Sequence, residues 1–326
     1  MPSPFPSRSL FLAPMVGLSH RPLRTLIREF GGLDYAYTEM ASAAALVSGS
    51  PNEGWYLDPA PEPERTMLQF YAVKPERLVE ALQRCAGMEV MGADLNFGCG
   101  APHIVNAGGG AAWLEDAAGA RALVAAARQV WPKLLSAKLR IGADEDFAGL
   151  RDFCSGLVDA GVDFLCLHPR LSGEKFRRKS RWDYVERLAR DLTVPVIGNG
   201  DVRSFSNYAE RVNAFSPAGV MIGREAARRP WIFALIRGKE KSADFSLSVD
   251  LRDTALRMLD LIEERLPPEF HHTRARRFFF YFADNFSFAH HIKWKLQNAP
   301  DLPAMRVELD RYLNEVPADR VRSFAD

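Results

Sequence analysis

Several residues able to do chemistry stand at the ends of short apolar runs, where a buried strand would give way to a loop. They are Gln69, Asn96 with Cys99, Lys138 with Arg140, His168 with Arg170, Asn199 with Asp201, and Arg224, while Met15 and Glu39 close two further runs. A thiol is mostly protonated at neutral pH, so a cysteine placed there suits proton donation better than nucleophilic attack. As an isolated residue it would read as a small buried hydrophobe, the expectation for Cys85, Cys154 and Cys166. Lys138 lies in the apolar run LSAKLRI, where a buried ammonium is costly without negative charge nearby. That charge would come either from a ligand or from a carboxylate across the fold. Gln69 offers both a donor and an acceptor. IGNGDV and MIGRE bring Asn199, Gly200, Asp201, Gly223 and Arg224 into glycine-rich turns, which either cradle a phosphate with backbone N–H groups or simply turn the chain. Behind Cys99, the segment GCGAPHIVNAGGG ends in three consecutive glycines and is expected to move as lids do.

The elements that must position these groups follow from the spacing of the runs. Eight β-rich stretches, at 10–15, 35–40, 66–72, 93–99, 135–141, 164–170, 194–202 and 219–225, alternate with helix-like segments such as KPERLVEALQRCAG and DAAGARALVAAARQVWP. Strand and helix in alternation predict parallel strands joined by crossover helices, and eight repeats predict a (β/α)8 barrel of the TIM type, ~250 residues long. Barrel enzymes work at the C-terminal ends of their strands, which is where the polar residues collect. Beyond about 240 the alternation stops. The remainder reads as amphipathic helices, so the expected division is an α/β barrel over 1–241 and an all-α helical bundle over 242–326.

The 326 residues carry 42 Lys+Arg against 41 Asp+Glu, a formal charge of +1, so any nucleic-acid partner must be held by local basic patches. The four cysteines show neither paired nor metal-ligand spacing. His271, His272, His290 and His291 form adjacent pairs without a supporting carboxylate or cysteine pattern, so no metal site is expected. No apolar run approaches the ~20 residues of a membrane span. A cytoplasmic monomer with reduced thiols and no obligate protein partner is the expectation.

Taken in order, APMVGLSHRPLR, TEM, LQF, DLNFGC, AKLRIG, HPR, VPVIGNGDV and MIGREAARRPWIF resemble the bacterial tRNA-dihydrouridine synthases through nearly the whole chain. The resemblance implies an FMN barrel reduced by NADPH that saturates a uridine of tRNA, in the D-loop, to 5,6-dihydrouridine. It implies that Pro14, Met15 and Val16 line the flavin, that Gln69, Lys138 and His168 contact its ring or ribityl part, and that Asn199, Gly200, Asp201, Gly223 and Arg224 hold its phosphate end. Asn96 and Arg140 would orient the uracil, with hydride passing from FMN N5 to C6 and a proton from Cys99 to C5. Two departures stand out. Gly100 replaces the proline of GCP, which is expected to loosen the loop, and HPR replaces H-G-R, which is expected to shift Arg170.

A base within a folded RNA must be extruded to meet a flavin, which calls for a large RNA grip. The stretch LSGEKFRRKSRW carries Lys175, Arg177, Arg178, Lys179 and Arg181 against Glu174 and belongs on the active-site face near Arg170, so contact with phosphates is expected there. In the tail, Arg274, Arg276, Arg277, Lys293 and Lys295 are the RNA candidates. The aromatics Phe278 to Phe280, Tyr281, Phe282 and Trp294 are expected to form bundle core. Alternatives from other classes are an FMN-dependent reductase of a free pyrimidine, a dihydrouridine synthase acting on ribosomal RNA, and an RNA-binding protein with a degenerate barrel.

Overall fold

The eight runs form eight short strands in the computed structural model, which describes residues 3–174 and 178–326. They are β1 (Ser9–Leu12), β2 (Tyr35–Ser42), β3 (Thr66–Tyr71), β4 (Gly92–Phe97), β5 (Leu134–Arg140), β6 (Phe164–His168), β7 (Val196–Asn199) and β8 (Gly219–Ile222), closed into one barrel in sequence order. The residues of β1, β6, β7 and β8 are buried throughout, as expected of parallel strands covered on both faces.

Seven of the eight strands end before their runs do, three of them for clear local reasons. β6 ends at His168 because Pro169 has no N–H to give the ladder. β7 ends at Asn199 because Gly200 and Asp201 turn to φ +122° and +56°. β8 ends at Ile222, and Arg224–Arg228 then forms a helical turn.

The chain divides into two compact units. One holds the chain up to Pro14, Asp34–Asp201 and Ala209–Met221, and so carries the barrel strands. Its crossover helices include Pro75–Cys85, Ala117–Val130, Phe147–Asp159 and Asp183–Asp191. The Ala117–Val130 helix is started by Asp116, whose carboxylate accepts from the Gly119 N–H at 2.9 Å.

The other unit holds Met15–Leu33, Val202–Tyr208 and Ile222–Asp326. Within it the Arg21–Phe30 helix packs on Leu251–Arg265, with Arg257 paired to Glu29 at 2.6 Å. Met258, Leu259, Ile262, Phe278, Phe279, Phe282, Met305 and Leu309 are fully buried there. Four helices account for most of the tail, Leu251–Arg265, Pro268–Phe282, Ala289–Asn298 and Leu302–Glu315. Sequence periodicity did not anticipate the antiparallel ribbon beside them, β9 (Leu247–Asp250) with β10 (Val321–Phe324), in which Val321 lies opposite Asp250. No helix among the described residues is long and apolar enough to cross a membrane.

Candidate active site

The period-two alternation of a strand turns Asp94 and Asn96 to the same face of β4. Parallel register sets Gln69 of β3 and Ser136 of β5 on either side of Asp94. Further along, it sets Asn96 beside Lys138 and Arg140 beside His168. Asp94 is wholly buried, and it accepts from the Ser136 hydroxyl at 2.5 Å and from Gln69 Nε2 at 2.7 Å. Burial pushes its carboxyl up to about 6, although the bonds from Ser136 and Gln69 and the charge of Lys138 oppose the rise. Gln69 Oε1 accepts from Asn96 Nδ2 at 3.1 Å, and Asn96 Oδ1 accepts from the backbone N–H groups of Gly98 at 3.1 Å and Cys99 at 2.8 Å.

Cys99 is half-buried, whereas the other three thiols are buried. Its carbonyl accepts from Ala111 N at 2.9 Å, and a Cβ on Gly110 would stand 2.5 Å from that oxygen. Gly110, the last glycine of the run expected to move as lids do, is therefore packed directly against Cys99, and close approach explains that glycine. Gly100 is less constrained: a Cβ there would lie 3.3 Å from the Ser172 carbonyl, a tight contact that a small shift would relieve.

Arg140 reaches across that junction, donating to the carbonyls of Leu171 at 2.9 Å and Glu174 at 3.1 Å. Burial and the nearby Arg170 oppose its charge, while Cys99 and Glu174 favour it. Arg170 is a buried guanidinium rather than a surface contact. It donates to both Asp201 oxygens at 2.6 and 2.7 Å, to the Arg178 carbonyl at 2.6 Å, and to His168 Nε2 at 2.7 Å. Because a guanidinium can only donate, that imidazole nitrogen must accept. Ser180 also donates to Asp201 through its N–H and its hydroxyl. Burial acts to raise the Asp201 carboxyl, but the bonds from Ser180 and Arg170 outweigh it and hold the group below its ordinary value. Gly200 sits at φ +122°, and a Cβ there would stand 2.4 Å from Ser180 Oγ, so only glycine fits. Asn199 donates to the Met221 carbonyl at 2.8 Å.

Six of the expected residues of the barrel unit thus fall into two bonded clusters. One joins Gln69 and Asn96 to the Cys99 backbone, and the other joins His168, Arg170 and Asp201. Asp94 and Ser180, at the centres of these clusters, were not expected; the signal for Asp94 was its i, i+2 spacing from Asn96. Lys138 is half-buried and meets Asp94 through charge rather than through a hydrogen bond. An ammonium so placed, in register with the Asn96 amide, suits an electron-rich planar ring that gains negative charge on reduction.

Of the basic loop after β6, Lys175, Phe176 and Arg177 lie outside the described residues. Arg178 and Lys179 are exposed. Arg181 is instead paired with Glu174 and Glu145, both at 2.8 Å, and it holds the Glu174 carboxyl well below the usual range.

In the other unit Met15 N donates to Ser19 Oγ at 2.8 Å, Val16 is exposed, and Gly223 precedes the turn that starts at Arg224. Gly17, at φ +77°, lies against Arg274, so that half-buried arginine packs on a turn rather than standing clear in solvent. Arg276 and Arg277 are exposed. Lys293 pairs with Asp284 at 2.5 Å, and Lys295 lies 3.9 Å from Glu308. Phe278, Phe279 and Phe282 are core as expected, but Phe280 and Trp294 are 51% and 62% exposed, each with a lysine over its ring. Among the described residues no cluster of His, Cys, Asp or Glu could hold a metal.

Residues 11–312 match the family model described as "Dihydrouridine synthase (Dus)". A "Probable tRNA-dihydrouridine synthase" of Helicobacter pylori (strain ATCC 700392 / 26695) is 31% identical over 245 residues, 74% of this chain and 74% of that protein. A "tRNA-dihydrouridine(16) synthase" of Cupriavidus necator is 33% identical over 248 residues, 70% of this chain and 73% of that protein. Among solved structures, histamine dehydrogenase from Rhizobium sp. 4-9 aligns with a TM-score of 0.53 at 12% identity, over 77% of this chain and 48% of that one. That likeness is one of fold alone, and this chain spans about half the length of the dehydrogenase.

Proposed function

Because the chain belongs to the dihydrouridine synthase family, we propose that it reduces a uridine in the tRNA D-loop to 5,6-dihydrouridine, using FMN with NADPH as reductant. The observation that carries the reading is the placement of Cys99 directly after β4, with its backbone held by Asn96 and the charge of Arg140 nearby. Both relatives described above bear the name of tRNA-dihydrouridine synthase, and this supports tRNA as the substrate.

In the barrel unit Pro14, Gln69, Lys138, His168, Asn199 and Gly200 would hold the flavin, and the donor chemistry of Lys138 and His168 fits it. Bound flavin would supply the hydride for C6 of the uracil. Cys99 then gives its proton to C5, from a thiol whose backbone Asn96 holds in place. Asn96 and Arg140 orient the ring. Arg170 braces His168, so that Asp201 acts by fixing Arg170. Arg178 and Lys179 of the loop after β6, with Arg276 and Arg277 of the tail, take RNA phosphates while the target base is extruded.

The deciding experiment maps dihydrouridine in total RNA from a deletion strain with and without this gene, beside turnover of the purified protein on unmodified tRNA with NADPH. The expected result is one class of tRNA position lost and restored, and a yellow preparation with flavin absorbance. Loss confined to ribosomal RNA, comparable turnover of free uridine, or a colourless protein that takes up no FMN would each overturn the reading.

A further inference from the structure

We propose that Asp94 is a positioning residue for Cys99: through the side-chain amides of Gln69 and Asn96 it anchors, from the buried end, the one orientation of the Asn96 amide that the Cys99 backbone accepts. An ionised carboxylate only accepts hydrogen bonds. With Ser136 Oγ on one oxygen at 2.5 Å, the other takes Gln69 Nε2 at 2.7 Å. Gln69 is thereby obliged to turn its oxygen to Asn96, which must answer with Nδ2 at 3.1 Å. That leaves Asn96 Oδ1 for the N–H groups of Gly98 and Cys99. A side-chain amide is nearly symmetric in shape, and its two orientations are told apart by their partners. Flipping either amide here sets donor against donor or acceptor against acceptor at both of its ends. A chain of directed bonds therefore runs from a wholly buried acid to the half-buried residue that carries the thiol.

The cost of the arrangement supports an orienting role. Asp94 is wholly buried, burial opposes its ionised form, and it meets Lys138 only through charge, so an apolar residue of similar size would serve packing better. What an apolar residue cannot do is impose a direction on Gln69. The catalytic consequence rests on the reading of Cys99 as proton donor, but the relay itself does not.

The test uses the full chain with and without tRNA. Hydrogen exchange of the segment 95–101 and the rate of iodoacetamide labelling at Cys99 are read beside turnover, the other three thiols being buried. Asp94→Leu is expected to speed exchange at Gly98 and Cys99 about tenfold, the scale of a lost backbone hydrogen bond. It should also speed Cys99 labelling and lower kcat about tenfold, with KM for tRNA within about twofold. Asp94→Asn preserves the direction of the relay, because its oxygen still accepts from Gln69 while its nitrogen donates to Ser136, so its exchange stays within about twofold of wild type. Gln69→Glu sets two carboxylates face to face and should release the loop. Adding Asp94→Asn to it restores donor to acceptor along the whole chain and should return exchange and labelling to near the wild-type rate.

Wild-type exchange in Asp94→Leu, or a double variant no slower in exchange than Gln69→Glu alone, overturns the proposal. If Asp94→Leu does not fold, the Gln69→Glu pair decides. A protein that makes no dihydrouridine but shows this exchange pattern sinks the functional reading and leaves the relay standing. The converse pattern does the opposite.

Discussion

The strand ends of the barrel and the exposed face of the helices Pro268–Phe282 and Ala289–Asn298 are both crowded with polar groups, yet they are held in opposite ways. At the strand ends Asp94 is wholly buried and Arg170 nearly so, and both are bonded on several sides. On the helices the charges are exposed or half-exposed, and their ion pairs are single contacts such as Lys293 with Asp284. Buried, multiply bonded groups keep one geometry, which is what a reaction needs from the groups around it. Exposed pairs of this kind are worth ~0–1 kcal/mol and can be exchanged for phosphate contacts at little cost. The comparison separates a region that keeps one geometry from one whose charges can change partners.

The largest expected break comes at Cys99. Cys99→Ala removes the proposed proton donor and nothing else from the strand-end network, so turnover on tRNA should fall about 10²- to 10⁴-fold while tRNA affinity stays within about twofold. An unchanged dihydrouridine yield at early time points would remove Cys99 from the chemistry.

Next in size is Arg170→Met. It leaves the Asp201 carboxylate without its guanidinium and takes the donor from His168 Nε2. Breaking a buried pair from one side costs about 3–5 kcal/mol, read as a lower urea midpoint with the slope unchanged. A loss below about 1 kcal/mol would place this cluster with the exposed pairs.

Asp94 gives a pH signature that no surface pair shares. Its carboxyl titrates at about 6 in the fold, above the ordinary carboxylate range, chiefly because it is buried. From about pH 4 to about pH 6 the unfolded chain therefore releases this proton first, and the site's contribution to stability falls as pH rises through that window. Above it the loss is complete, on the order of 3 kcal/mol for a shift of about two units. Asp94→Asn has no such proton, so wild type should lose about that much stability relative to the variant between pH 4 and pH 7. Parallel stability curves would mean that Asp94 is not buried as a charge.

The same contrast governs what could be read from the sequence. Continuous apolar runs with polar ends announced the eight strands and the place of Cys99, because parallel strands bury both faces and barrel sites sit at strand ends. Asp94 escaped notice because its meaning lies in partners 25 and 42 residues away, which only the register of β3, β4 and β5 brings abreast. The β9–β10 ribbon joins four-residue segments some 70 positions apart, too short for periodicity to reveal. In FFFYF every residue is aromatic, so the sequence shows no face. At ~100° per residue a helix that buries Phe278, Phe279 and Phe282 must turn Phe280 outward.

The helical face offers the smaller effects. Reversing charge at Arg276 and Arg277, both exposed, should weaken tRNA binding several-fold across tRNA species and flatten the dependence of log affinity on log salt by about one unit for each phosphate no longer neutralised. Protein stability should not change measurably. An unaltered slope would move the RNA footprint off this face.

Lys293→Ala is the smallest and sharpens the comparison most. Lys293 spans Asp284 and the Phe280 ring, so removing it breaks an ion pair and a cation–π interaction together. Were this cluster like the one around Arg170, the fold would weaken by several kcal/mol. For an exposed pair the expected loss is within about 1 kcal/mol. Affinity for tRNA should fall by no more than about threefold, because the lysine leaves Asp284 before it reaches a phosphate and the freed carboxylate then repels the RNA. Asp284→Asn isolates that competition: it should raise tRNA affinity slightly at low salt and not at high salt. Equal affinity of Asp284→Asn and wild type at low salt would show that Lys293 never leaves its partner and belongs with the static groups.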